Sequence, residues 1–208
     1  MRIVDLSLPL HPSQPVFPGD DPTEFQVRGS DGWVVHRVCL VTHAGTHLDA
    51  PAHLLPGGLT IDDPDILDAC AGDAVIRDVP GEPGAVISPE DIRGLEDILA
   101  SEERLILRTG WSARYGAEDY HTRYPAVSPS LARMLAASGI RLLGLDTPSA
   151  DPANSAEAHE TLFGAGIAIV ENLANLDRIT VDRFFFSAAP LKLSGLDGSP
   201  VRAYALLP

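Results

Sequence analysis

Three of the chain's seven histidines fall inside one short segment, His43-Ala44-Gly45-Thr46-His47-Leu48-Asp49-Ala50-Pro51-Ala52-His53. Imidazole and carboxylate are the donors that a borderline divalent cation such as zinc prefers, and manganese is served by the same carboxylate oxygen. His43, His47 and Asp49 therefore make a three-ligand set that leaves one coordination position for water. A divalent ion lowers the pKa of such a water toward neutrality, so that hydroxide becomes available to attack a carbonyl. His53, four residues beyond Asp49, is placed to act as general base and acid rather than as a ligand. A lone histidine near a strand end is usually only hydrogen-bonded. Three histidines and an aspartate in one segment punctuated by glycine and proline favour a functional site.

The elements around this segment must bring its side chains together. His43 and His47 stand at i and i+4, but Gly45 and Pro51 argue against a continuous helix. A loop over residues 43–63, leaving a strand at residues 33–41, is the expected setting. The proline-rich residues 9–22 (PLHPSQPVFPGDDP) should form an extended arm with a turn at Gly19-Asp20. Further strands are expected over residues 74–79, 104–109, 140–145, 167–170, 184–186 and 201–206. Helix starts are expected at Ser88-Pro89 and Ser128-Pro129, each with a serine cap and a proline in the first turn. The second of these should stop at Gly139, and another short helix should precede Gly164. The class is mixed α/β, with a mixed sheet in a single domain over residues 1–208.

Composition mainly excludes. The 208 residues are 45% apolar, enough to bury a core without disulfides. The formal net charge of -14, with arginines scattered singly, speaks against nucleic acid or an anionic membrane as a partner. A small-molecule substrate fits better. Cys39 and Cys70 are too far apart to be a metal pair, and Cys39 reads as a buried thiol in an apolar strand. No apolar run approaches a membrane span, and residues 1–7 lack the apolar stretch of a signal peptide, so the cytoplasm is the expected compartment. Phe17 is either an aromatic wall for substrate or an anchor for the arm. Asp146, at a strand's C-terminal end, reads with Thr147-Pro148-Ser149 as a structural turn. His11, His36 and His121 read as surface or packing residues, Trp33 and Trp111 as core or interface, and residues 184–186 as a buried strand.

The run H-x-G-T-H-x-D-A-P-x-H resembles the signature of the cyclase family of metal-dependent hydrolases, which includes bacterial kynurenine formamidases and isatin hydrolases. Pro15-Val16-Phe17-Pro18-Gly19-Asp20 is similar to the family's N-terminal element, and Leu145-Asp146-Thr147-Pro148-Ser149 to one of its loops. His159 with Glu171-Asn172-Leu173 looks like its second ligand pair. Pro190-Leu191-Lys192-Leu193 and residues 197–203 (DGSPVRA) resemble its C-terminal strand pair. This resemblance implies that His43, His47 and Asp49 hold one metal. It also implies that Asp49 reaches a second metal completed by His159 and Glu171, with His53 as acid/base. It further implies a compact β/β/α fold assembled as a homodimer or larger oligomer. The implied activity is hydrolysis of a non-peptide amide, led by N-formylkynurenine going to kynurenine and formate. Thr46 and Ala50, where formamidases often carry alanine and glycine, keep a cyclic imide, lactam or lactone hydrolase as the alternative. A metal-binding module without turnover is the rival of another class.

Overall fold

The computed structural model describes residues 1–208, and the main sheet draws on nearly its whole length. Its centre is parallel: β5 (Ala71–Asp78), β7 (Arg104–Arg108), β9 (Leu142–Leu145) and β10 (Ala168–Glu171) lie side by side. Antiparallel strands extend it on both sides. One side carries β11 (Arg183–Ser187), β13 (Tyr204–Leu207) and β1 (Arg2–Asp5); the other carries β4 (His47–Asp49) and β12 (Gly198–Pro200). The central strands are the apolar runs expected of strands covered on both faces. Their side chains alternate between two cores. Leu105, Leu107 and Ile169 pack under the helices, while Ile106, Ala168 and Val170 face the opposite core with Phe184 and Phe186. Phe185, between them, is 38% exposed.

Four helices accompany the sheet: α1 (Pro64–Ala69), α2 (Leu95–Ser101), α3 (Pro129–Ala136) and α4 (Glu157–Gly164). In α3 the Ser128 hydroxyl accepts from the Leu131 amide at 3.1 Å, as the Ser-Pro signal predicts. The equivalent signal at Ser88 yields only a 3-10 turn, Pro89–Asp91, closed by a capping box. Ile92 turns extended to bury itself, and α2 starts only after Gly94 takes a left-handed φ of 72.

Two further corrections concern the approach to the histidine segment. The strand expected over residues 33–41 shortens to β3 (His36–Cys39), which pairs with β2 (Glu24–Val27) in a separate hairpin. That hairpin stands off the core, so Cys39 is exposed rather than buried and Trp33 is 79% exposed. Trp111 instead is buried with Tyr120. The region expected to be one loop over residues 43–63 contains β4, an inner strand of the main sheet. Glycine and proline broke the periodicity of this stretch, and strand pairing, which is non-local, decided it. The two remaining short strands, β6 (Val86–Ile87) and β8 (Ala126–Val127), pair with each other.

Candidate metal centre

Strand β4 is the base of the site. His47 and Asp49 are two residues apart and share its helix-side face, while Leu48 between them enters the opposite core. In the antiparallel register with β10, Glu171 stands opposite His47. Helix α4 then lays His159 over the same face, on a buried side that includes Ala158, Leu162 and Phe163. Residues more than a hundred positions apart thus converge through one strand pair and one helix.

Asp49 divides its carboxylate between two groups. Its Oδ1 lies 2.6 Å from His43 Nδ1 and 3.2 Å from His47 Nε2, and its Oδ2 lies 3.8 Å from His159 Nε2. Glu171 approaches His47 Nε2 at 3.6 Å and His159 Nε2 at 3.3 Å. Three groups of candidate donors result, His43–His47–Asp49, Asp49–His159–Glu171 and the more exposed His43–His53–Asp197, with the ligating atoms of each within 4.8 Å of one another.

In His47 and His159 the far side of the ring is held so that Nε2 turns toward Asp49 and Glu171. His47 Nδ1 meets the Gly45 carbonyl at 2.8 Å, and His159 Nδ1 meets Asp151 Oδ2 at 2.7 Å. Such contacts to the far ring nitrogen set tautomer and direction in metal-binding histidines. Asp151 also accepts the Ala158 and His159 amides at 2.8 and 2.9 Å, so one carboxylate both caps α4 and orients His159. Asn172, in a left-handed conformation, donates to the Gly45 carbonyl at 3.1 Å and accepts from the Tyr120 hydroxyl at 2.7 Å.

His53 closes the 3-10 turn Pro51–His53 and, with Asp197, belongs only to the outer group. Its Nδ1 lies 3.3 Å from Asp197 Oδ2, which also meets His43 Nε2 at 2.8 Å. Asp197 was not among the residues expected at the site. Its motif resembled a strand pair, and only the packing of β12 against β4 brings it to the histidines. Gly198 leaves the space for His43: a Cβ there would lie 2.7 Å from His43 Cε1 and 3.0 Å from the Leu48 carbonyl oxygen.

A divalent cation fits these residues. Asp49 and Glu171 are 1% and 4% exposed, yet their ion-pair partners are histidines alone, without lysine or arginine. Buried carboxylates require a cation or a metal to be tolerated. Burial would push the Asp49 carboxyl up, but the neighbouring imidazoles hold it well below its ordinary value. Burial would likewise lower His43, but Asp49 and Asp197 raise it to about 9. His47 and His159 are raised by the same carboxylates against the same burial. The pocket draws positive charge.

The cluster opens into a cavity of about 280 Å³, lined also by Phe17, Asp20, Tyr115 and His121. His121 thus serves the cavity wall rather than the general surface; no metal-ligand spacing marked it in the sequence. His11 and His36 lie outside the cavity. Asp146 is structural: it binds the Thr109 amide at 2.9 Å and the Gly110 amide at 2.8 Å, fixing the loop that carries Tyr115 and His121.

The Cyclase family model matches residues 4–152 of this chain, a span that includes the whole of the histidine segment. The chain belongs to the cyclase family. A kynurenine formamidase from Bacillus cereus is 37% identical over 206 residues, covering 96% of this chain and 95% of that one. Isatin hydrolase A from Labrenzia aggregata, bound to benzyl benzoate, superposes with a TM-score of 0.85 at 30% identity, covering 98% of this chain and 93% of that one. A protein described as a predicted metal-dependent hydrolase, from Bacillus stearothermophilus, gives a TM-score of 0.83 at 29% identity over 98% and 97% of the two chains. The mixed α/β expectation and the cyclase-family resemblance are both borne out.

Proposed function

We propose that this cyclase-family hydrolase opens the C–N bond of an aryl formamide, with N-formylkynurenine as the leading substrate. The observation that carries the hydrolase reading is the pair of buried carboxylates, Asp49 and Glu171, faced by three imidazoles on a cavity floor beside His53. His43, His47 and Asp49 would hold one divalent ion, and Asp49, His159 and Glu171 a second. Zinc suits the imidazole-rich donors best, with manganese the other candidate. When bound, such ions activate water and polarise a carbonyl.

The remaining work falls to the chain's own groups. Asp197 holds His53 at Nδ1, which leaves Nε2 to take a proton from water and deliver it to the departing nitrogen. Water's oxygen ends on the acyl carbon, the C–N bond breaks, and the amine leaves protonated by His53. Kynurenine formamidase identity of 37% over nearly the full length supports the formamide substrate. Similarity to isatin hydrolase A supports a second reading, ring opening of an isatin-like lactam by the same chemistry. Ultraviolet assays of N-formylkynurenine and isatin with metal-loaded protein decide between them. The formamide should give the higher kcat/KM. A higher value for isatin reverses the assignment, and turnover of neither discards both.

We further propose a homo-oligomer assembled through the β2–β3 hairpin. Its Val27, Trp33, Val34 and Val38 are 72%, 79%, 78% and 50% exposed, more apolar surface than a free hairpin holds comfortably in water. Val38→Glu should shift sedimentation toward the monomer; an unchanged sedimentation coefficient excludes this face. No helix of the chain is long and apolar enough to cross a membrane. The cytoplasm is the compartment we assign.

A further inference from the structure

The cavity that contains the donor sets has a second group of side chains in its wall. Phe17 and His121 meet edge to face, with ring centroids 5.8 Å apart and planes at 84°. His121 is braced in turn by Tyr120, at 4.9 Å and 89°. Burial lowers the His121 pKa against the opposing pull of the Asp20 carboxylate, and both residues line the same cavity. Asp20 lines the cavity, and no lysine or arginine does. The fixed charges of this wall are therefore one-sided: apart from the imidazoles and any metal, the lining offers only negative charge.

We propose that Phe17, His121 and Asp20 form a subsite for the end of the substrate remote from the scissile bond, and that it selects aromatic amides carrying an ammonium group over those whose only charged group is a carboxylate. This proposal rests on the aryl formamide reading. The edge-to-face pair offers an apolar surface to a substrate ring, and the face of Phe17 attracts a cation. Asp20 pairs with an ammonium group, whereas a carboxylate in the same place meets a like charge without a compensating cation. Because Asp20 is exposed, solvent screens the pairing and limits it to a few-fold effect.

The test compares kcat/KM for 4-formamidobenzylamine, formanilide and 4-formamidobenzoate in metal-loaded wild type and in Asp20→Asn. Wild type should prefer the ammonium substrate to formanilide by about three- to five-fold and disfavour the benzoate. In Asp20→Asn the ammonium-to-formanilide ratio should fall to near one. An unchanged ratio, or a wild-type preference for the benzoate, overturns the subsite. Calorimetric titration with 4-aminobenzylamine and aniline gives the same ratio from binding alone. If wild type cleaves none of the formamides, the aryl formamide reading fails, and the amine-binding ratio still decides the subsite.

Discussion

Asp197 Oδ2 faces His53 Nδ1 at 3.3 Å, an arrangement that holds one ring nitrogen and leaves the other for a proton in transit. His53 lies outside the two buried donor groups that share Asp49, so its loss should separate binding from turnover. His53→Ala should retain its metal by elemental analysis while kcat falls by about 10²- to 10⁴-fold. Activity surviving that change would remove His53 from the mechanism. Gly198 works by absence of a side chain. The Cβ added in Gly198→Ala would press on His43 from 2.7 Å, with the Leu48 carbonyl closing the other side. Metal affinity, read by competition with a chromogenic chelator, should drop about tenfold or more. An unaltered affinity would show that His43 is not a ligand or has room to move.

Two elements carry most of the placement, and each depends on a single polar side chain. The start of β4 is tied down by Thr46, whose hydroxyl accepts the Leu8 amide at 2.8 Å and donates to the Asn172 carbonyl at 2.6 Å. Thr46→Val keeps the shape and deprives both backbone groups of their partner. Urea unfolding should show a loss of about 1–3 kcal/mol; a neutral result would mean that water replaces the hydroxyl. Helix α4 depends on Asp151 in the same way. In Asp151→Asn an amide replaces the carboxylate at His159 Nδ1, so metal affinity should fall by about 10- to 100-fold. A change in helix stability without a change in metal affinity would confine Asp151 to capping.

Across the molecule the centre couples stability to pH. His43 is raised from 6.5 to about 9, so its stabilising contribution is full below about pH 6.5 and is lost as pH rises through 9. Burial would raise Asp197, but bonding to His43 holds it at about 2 against an ordinary 3.8. Its contribution is full above pH 3.8 and is lost as pH falls through 2. Chelator-treated protein should therefore show its highest Tm between about pH 4 and 6.5. Divalent ions bind deprotonated ligands, so the Tm gained on adding zinc should grow with rising pH over that range and beyond. A gain independent of pH would mean that the histidines are not the ligands.

Much of the site's chemistry was legible from residue types at short spacing. H-x-x-x-H-x-D-x-x-x-H holds two imidazoles and a carboxylate within seven residues, and the Ser128-Pro129 cap and the apolar runs of β7 and β9 are equally local. His159 and Glu171 were readable weakly from residue type and mainly through their resemblance to a family, because eleven residues of intervening helix and strand hide any geometric relation. Asp197, Asp151 and His121 carried no local signal at all. They reach the cavity through the register of β4 between β10 and β12, through the cap of α4, and through a loop pinned by Asp146. The same long-range pairing made a strand of what glycine and proline had marked as loop. Donor identity is a property of side chains and was present in the sequence by itself. Which donors meet is a property of sheet register and helix packing, and those interactions join residues too distant along the chain for any local pattern to record.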